Sequence, residues 1–325
     1  MLDYVRACDL PIRPIGRNWL VEDLWGEEAV GVLGGEPKCY KSFLSLDIAV
    51  AVASGRPCLR RFAVSHPGRV LLFAAEDALW DVRNRLEGIA SAAGAPLGTL
   101  DIQVITVPVV RLDMARDRED LEATIAALKP RLVILDPFVR MHRVDENAVN
   151  EVAPMLAYLR TIQRKHRTAV LLVHHARKGA AHMRGGQALR GSSELHAWGD
   201  SNLYMRRKSS GLTLTVEHRN APSTGGLALD FVTRGSAAAL EIVERPPEAG
   251  RPESVPPEDR ILDALARAGS PITTRQIRTA CQMRGETVSA VLGQLALRGS
   301  VERTDGGYRL TSAGQAARRV IPASL

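Results

Sequence analysis

Aromatic side chains make up only 4% of this 325-residue chain, so a core has to be assembled from Leu, Val, Ile and Ala. No apolar run approaches the roughly 20 residues that a helix needs to cross a bilayer. The first residues, Met1-Leu2-Asp3-Tyr4-Val5-Arg6, lack the charged-then-apolar order of a signal peptide. Cysteines stand singly at Cys8, Cys39, Cys58 and Cys281, with no Cys-x-x-Cys pair and no metal-ligand spacing. These absences argue against a membrane protein, a disulfide scaffold and a zinc module, and the expectation is a reduced, cytoplasmic protein. What is present, 45% hydrophobic and 24% charged residues, is the balance of a soluble globular chain. The length exceeds one ordinary domain, so two are expected, one of them large. A formal charge of +7 permits a polyanionic partner such as DNA without requiring one.

Apolar runs alternate with helical patterns from about Ala29 to Val243. The clearest runs are Val30-Gly31-Val32-Leu33, Val70-Leu71-Leu72-Phe73-Ala74, Leu132-Val133-Ile134-Leu135 and Ala169-Val170-Leu171-Leu172-Val173. Apolarity that is continuous rather than alternating is what a strand covered on both faces requires, which predicts a mostly parallel sheet. Helical stretches at Phe43–Ala53, Ala78–Ala93 and Asn147–Lys165 lie between them, so the fold class reads as α/β, a sheet sandwiched by helices. Leu212–Val216, Leu227–Phe231 and Ala239–Val243 read as hairpin strands that finish the sheet. Residues 244–257 are rich in Pro and Glu and read as a linker. The expected division is an N-terminal extension (1–28), an α/β domain (29–243), the linker, and a small α+β domain (258–325).

Leu33 ends a strand, and Gly34-Gly35-Glu36-Pro37-Lys38-Cys39-Tyr40-Lys41-Ser42 leads from it into a helix. A bound phosphate needs converging backbone N–H groups, a cation for its outer oxygens and a hydroxyl for the accompanying Mg2+. A turn that ends in Lys-Ser at a helix N-terminus supplies all three. With Gly35 as first glycine, the spacing to Lys41-Ser42 is that of a Walker A loop, so Gly35, Glu36, Pro37, Lys38, Cys39, Tyr40, Lys41 and Ser42 are the candidate nucleotide-binding residues. Tyr40 stands where that motif has its second glycine, a backbone position that other residues dislike. The competing reading is an ordinary turn that happens to contain Lys-Ser.

Other strand ends reduce the weight of that alternative. Leu132–Leu135 runs into Asp136, the Walker B arrangement that holds Mg2+ through water. Val70–Ala75 runs into Glu76-Asp77. If that strand neighbours the Walker A strand, Glu76 stands where a base could orient water, while Asp77 reads as a helix N-cap. Val173 runs into His174-His175, which point to opposite faces of a strand and so do not suit one metal ion. Active sites in open α/β sheets lie at the carboxyl ends of strands, so these residues form one constellation.

Gly35–Ser42, Ala74-Ala75-Glu76-Asp77, Leu132–Pro137 and Leu172–Lys178 together resemble the RepA-like branch of the RecA-type P-loop ATPases, whose reference member is a hexameric replicative helicase of plasmids. The resemblance spans roughly Trp19 to Val243. It implies that ATP and Mg2+ are the ligands, Lys41 and Ser42 the phosphate and metal contacts, Glu76 the catalytic carboxylate, Asp136 the Walker B acid and His175 the γ-phosphate sensor. It also implies a homo-oligomeric ring, possibly a hexamer, whose sites are completed by a neighbour's arginine. Arg219, in Val216-Glu217-His218-Arg219-Asn220, resembles the helicase Lys-x-Arg-Asn segment with Glu217 in place of the lysine. Arg190 is the second candidate, ahead of Arg206 and Arg207. The basic loop Lys178–Gln187 stands where the family contacts single-stranded nucleic acid, with an unstructured loop as the alternative.

Beyond the linker, Glu258–Ala268, Thr274–Met283 and Glu286–Arg298 read as helices. Val301–Leu310 reads as two strands about a Gly-Gly turn, which together make a winged helix-turn-helix pattern. Ten arginines face six acidic residues there, with no lysine. Arg275, Arg278, Arg284, Arg303 and Arg309 surround the helix that would enter the major groove, an arrangement that suits DNA phosphates better than bases. The combined expectation is an ATP-hydrolysing DNA motor of replicative-helicase type. A nucleotide-gated DNA-binding regulator and a scaffold that binds nucleotide without turnover remain open as alternatives.

Overall fold

The computed structural model describes residues 4–10, 19–146, 148–175, 193–208, 211–244, 257–281, 283 and 285–317. The chain divides into two compact units, Met1–Glu244 and Arg245–Leu325. Among the described residues, no helix is long and apolar enough to cross a membrane.

In the first unit the order is β1 (Trp19–Val21), β2 (Trp25–Gly26), β3 (Val30–Gly35), α1 (Lys41–Ser54), β4 (Val70–Ala74), α2 (Leu79–Ala92), β5 (Ile102–Val104) and α3 (Ala115–Leu128). There follow β6 (Leu132–Asp136), α4 (Val149–His166), β7 (Ala169–His175), α5 (Ser193–Trp198), β8 (Ser201–Lys208), β9 (Gly211–His218), β10 (Thr224–Arg234) and β11 (Ala237–Ile242). A nine-stranded sheet runs β11-β10-β9-β8-β3-β7-β6-β4-β5. From β8 to β5 all pairings are parallel, and β8 to β11 form the expected antiparallel hairpins.

The apolar runs are continuous because alternate residues enter different cores. Val70, Leu72, Leu132, Ile134, Leu171 and Val173 pack with Leu44, Ile48 and Val52 of α1 and Val82, Leu86 and Ile89 of α2. Leu71, Phe73, Val133, Leu135, Val170 and Leu172 pack on the other face with Leu121 and Ile125 of α3 and Val152, Leu156 and Leu159 of α4. Both sheet faces are therefore dry, as the α/β reading with a helix-sandwiched, mostly parallel sheet requires.

Two expectations need correction. The strand before Glu76, β4, does not neighbour β3, since β7 and β6 lie between them. Residues 19–26, assigned above to an N-terminal extension, form a small antiparallel pair whose Leu20, Val21, Leu24 and Trp25 are buried in the first core. Trp25 Nε1 donates to the Ala29 carbonyl at 3.3 Å and Gly26 N to Ser201 Oγ at 3.1 Å, which ties this segment to β3 and β8.

The second unit contains α6 (Pro257–Ala268), α7 (Thr274–Cys281), α8 (Gly285–Leu297), β12 (Val301–Thr304), β13 (Gly307–Leu310) and α9 (Ser312–Ala317). Its core is Ile261, Leu262 and Leu265 of α6, Ile277 and Cys281 of α7, Val288, Leu292 and Leu295 of α8, and Val301. These recur at helical spacing on one face of α6 and of α8. The hairpin turn falls on Asp305-Gly306 rather than on the Gly306-Gly307 pair. Gly307 begins β13 at φ +127, where a Cβ would stand 2.3 Å from the Ile272 carbonyl oxygen, so only glycine fits.

If residues 19–26 belong to the core, Trp25→Ala should destabilise the first unit by about 3–5 kcal/mol, the range for emptying a fully buried aromatic site. Urea unfolding followed by circular dichroism measures this, and a loss below about 1 kcal/mol would return the segment to the surface.

Candidate functional site

Gly35 closes β3 where Met205 of β8 crosses so tightly that a Cβ would lie 2.4 Å from its carbonyl oxygen and 2.8 Å from Cys39 Sγ. The chain then loops to Lys41, the first residue of α1. Lys41 is buried, and its ammonium donates to the Glu36 carbonyl at 2.8 Å across the loop it closes. Burial lowers its pKa, opposed by the fields of Cys39 and Asp136. The N–H groups of a helix's first turn have no intrahelical partners and carry its positive end, so this loop is built to face an anion.

Tyr40 adopts φ 63, ψ 27, the left-handed conformation that the glycine of a Walker A loop takes freely. For a side-chain-bearing residue this costs roughly 1–2 kcal/mol. Compensation comes from packing. The Tyr40 ring stacks on Phe231 of β10 with centroids 4.8 Å apart and planes 13° from parallel, and meets Phe43 edge-on at 6.0 Å. The Arg207 guanidinium lies over the same ring, 5.1 Å from its centroid.

A cavity of about 580 Å3 brings Lys38, Cys39, Tyr40, Lys41 and Ser42 together with Glu76, Asp136 and His175. Asp136 ends β6 and accepts from Ser45 Oγ at 3.3 Å. Burial pushes its carboxyl up to about 6, against the stabilising hydrogen bond from Ser42. A hydroxyl beside a carboxylate is a hard-oxygen donor pair, which suits Mg2+. Glu76 reaches the cavity although β4 is remote from β3, because parallel strands end on one edge and Ala75 N donates to the Asp136 carbonyl at 2.8 Å, turning the chain across the end of β6. Arg140 Nε holds the Glu76 carboxylate at 2.7 Å. Asp77 is not the cap of α2. That position belongs to Ala78, which makes no side-chain cap. The Asp77 carboxylate instead takes both terminal nitrogens of Arg85, at 2.6 and 3.1 Å.

The two histidines separate as strand parity demands. His175 lines the cavity, whereas His174 is buried on the other face near Phe138 and 3.7 Å from Glu146. Arg219 is far from its own chain's cavity. Its backbone N donates to the Asp200 carbonyl and Asp200 N to the Val30 carbonyl, which places it at the start of β3 while the cavity lies at the end. Its guanidinium donates to the Ala197 carbonyl and sits 3.5 Å from Asp200. Arg190, Arg284 and the loop 178–187 lie outside the described residues. Arg275, Arg278, Arg303 and Arg309 are exposed on the second unit, with Arg309 ion-paired to Glu302.

Sequence reasoning missed Arg85 and Phe43, which also line the cavity, and weighed Arg207 only as a residue for a neighbouring subunit. Strand parity could have found Arg207. Met205 pairs with Gly35, and Arg207 lies two residues on, on the face that carries α1.

Because the folded pKa of Asp136 lies above the ordinary 3.8, its contribution to stability is fully present below that value and is lost as pH rises through about 6. In metal-free buffer at pH 8, Asp136→Asn should therefore be more stable than the parent by about 1–3 kcal/mol, a gap that closes near pH 4. Thermal unfolding at both pH values tests this, and a variant destabilised at pH 8 would contradict the burial of a charge there.

Comparison with known proteins adds to this geometry. The AAA domain family matches residues 2–181, a span that holds the loop, Glu76, Asp136 and His175 and ends before β8. Among solved structures, the crystal structure of the RadB recombinase is similar at 17% identity and a TM-score of 0.48, covering 67% of this chain and 92% of that one. That likeness is too distant to carry an argument. The family match takes in more than half of the sequence, and the chain belongs to the AAA domain family of ATPases.

Proposed function

We propose that this chain is a Mg2+-dependent ATPase of the RecA type that works on DNA as an oligomeric ring motor, akin to the RepA-like replicative helicases. The observation that carries the reading is the single cavity shared by Lys41, Ser42, Glu76, Asp136 and His175. In it the Lys41 ammonium and the first turn of α1 would hold the phosphates, and Ser42 and Asp136 would hold Mg2+, which when bound would supply positive charge against the phosphate oxygens. Glu76 orients the attacking water and accepts its proton, and His175 contacts the γ-phosphate. Glu76 must first exchange Arg140 for that water. Arg140 is 63% exposed, and ion pairs of this kind are worth about 1 kcal/mol or less, so the exchange is easy.

The ring reading assigns Arg219, at the edge opposite its own cavity, to a nucleotide on a neighbouring subunit, for which its guanidinium would have to leave the Ala197 carbonyl and Asp200. DNA association is supported by the second unit. Its α7, α8 and β12–β13 hairpin have the order of a winged helix, and the outward Thr287, Ser289 and Gln294 of α8 are flanked by exposed Arg275, Arg278, Arg303 and Arg309. That distribution suits phosphate contacts.

Glu76→Gln should hydrolyse ATP at least ~100-fold more slowly while still binding it, the usual size of a general-base effect. Loss of binding instead would move Glu76 into the metal site. Arg219→Ala should be nearly inactive alone, since a finger donated in trans contributes ~10³ or more. Mixing it with Lys41→Ala should recover part of the rate at interfaces that pair an intact loop with an intact finger. Normal turnover by Arg219→Ala would remove the finger from this position. A chain ending at Glu244 should bind duplex DNA more weakly and with a flatter salt dependence, by roughly one unit of slope per lost phosphate contact. Identical binding across salt concentrations would assign the second unit to protein docking. Among DNA-stimulated outcomes, unwinding supports the motor, and its absence supports a nucleotide-gated regulator.

A further inference from the structure

A glycine at position 40 would adopt the left-handed conformation of the loop without strain, so the presence of a tyrosine calls for a physical reason. The ring gains Phe231 as a parallel neighbour and in turn underlies the guanidinium of Arg207. Arg207 stands near the end of β8, paired with Leu212. It shares strand parity with the core residue Met205 and so projects on the face of α1, whereas Arg206 shares parity with Tyr204 and the opposite core. Tyr40 and Arg207 both line the cavity that holds Lys41 and Ser42. Both also line a second cavity of about 330 Å3 with Gly211, Leu212, Asp230 and Phe231. They form the wall between the two.

An exposed arginine at a strand end samples many rotamers, and fixing it over a ligand costs side-chain entropy. A cation–π contact with a ring that is itself held removes part of that freedom before the ligand arrives. A guanidinium that lies over a ring can keep N–H groups able to fork onto phosphate oxygens.

We infer that Tyr40 is a positioning residue that holds Arg207 over the phosphate side of the cavity, so that the nucleotide is bound by an arginine of its own chain. The inference rests on reading the cavity as a nucleotide site. It is separate from the arginine assigned to a neighbouring subunit, and it turns the departure from the glycine pattern into a requirement: restoring the glycine should impair the site.

The test is calorimetric binding of ATP and of inorganic tripolyphosphate, each with Mg2+, to the full chain and its variants. Tyr40→Gly and Arg207→Gln should each weaken both ligands by about 10- to 100-fold, the size of one charge-assisted hydrogen bond. Tyr40→Phe, which keeps the ring, should bind as the parent does. The Tyr40→Gly/Arg207→Gln double variant should bind no more weakly than Arg207→Gln alone, because the tyrosine acts through the arginine. Tyr40→Gly binding as well as the parent or better would overturn the inference, as would a double variant with additive losses. Arg207→Gln that weakens ATP but spares tripolyphosphate would overturn it too, by placing the arginine on the base or sugar. Lys41→Ala separates this from the underlying reading. If it binds tripolyphosphate normally, the cavity is not a phosphate site, whereas loss of binding there with intact Tyr40→Gly binding refutes only the role of Tyr40.

Discussion

A sheet that is dry on both faces can present polar chemistry only where its strands end. Buried polar groups without partners are costly, and β3, β4, β6 and β7 are built from apolar residues and glycine up to Gly35, Ala74, Leu135 and Val173. Gly35, Glu76, Asp136 and His175 therefore stand at or just past the ends of β3, β4, β6 and β7, and parallel pairing puts all four ends on one edge. The order of strands decides which carboxylate stands nearest the loop. Asp136 lies deep beside Ser42 and Ser45, with its carboxyl pushed up to about 6, while Glu76 is more exposed and held by a surface arginine. The buried carboxylate suits a metal that offsets the burial of its charge, and the accessible one suits water and proton transfer.

The antiparallel hairpins β8 to β11 bind this edge to a second set of constraints. They bring Phe231 and Arg207 to Tyr40, which like Lys38 holds a left-handed conformation in the loop that strains a side chain. The strain is roughly 1–2 kcal/mol. Each aromatic contact contributes about 0.5–1.5 kcal/mol beyond burial, and the cation–π contact about 0.5–1 kcal/mol. These magnitudes are comparable, so the loop can keep the tyrosine only while the hairpins stay in place. The loop and the hairpins are for that reason one structural element, although more than 160 residues separate Tyr40 from Arg207.

Much of this was legible in the sequence, and the failures have physical causes. Val70–Ala74, Leu132–Leu135 and Ala169–Val173 were legible as doubly covered strands because short unbroken apolar runs of this kind, alternating with longer helical patterns, suit a sheet packed on both faces. That Gly35–Ser42 and Asp136 would meet at one edge of the sheet was legible because each follows directly on a strand, and Lys38–Ser42 and Asp136 do line one cavity. Strand order was not legible. Local pattern does not encode which strand a third one inserts between, so β4 was allowed beside β3. Asp77 was misread as a cap because its partner Arg85 lies two helical turns away, and a cap and an ion pair use the same carboxylate. Residues 19–26 looked peripheral because four buried residues within so short a segment are too few to show periodicity, yet Trp25 is fully buried. The hairpin turn shifted by one residue because the crowding that demands Gly307 comes from Ile272, far from it in sequence.

The central question is whether the edge that gathers Lys41, Ser42, Glu76 and Asp136 turns over ATP. The direct measurement is steady-state phosphate release by the full chain with Mg2+, with and without single- and double-stranded DNA, beside Lys41→Ala under the same conditions. Turnover that DNA stimulates and that Lys41→Ala lacks is the predicted result. Phosphate release no faster than that of Lys41→Ala under every condition would contradict the account.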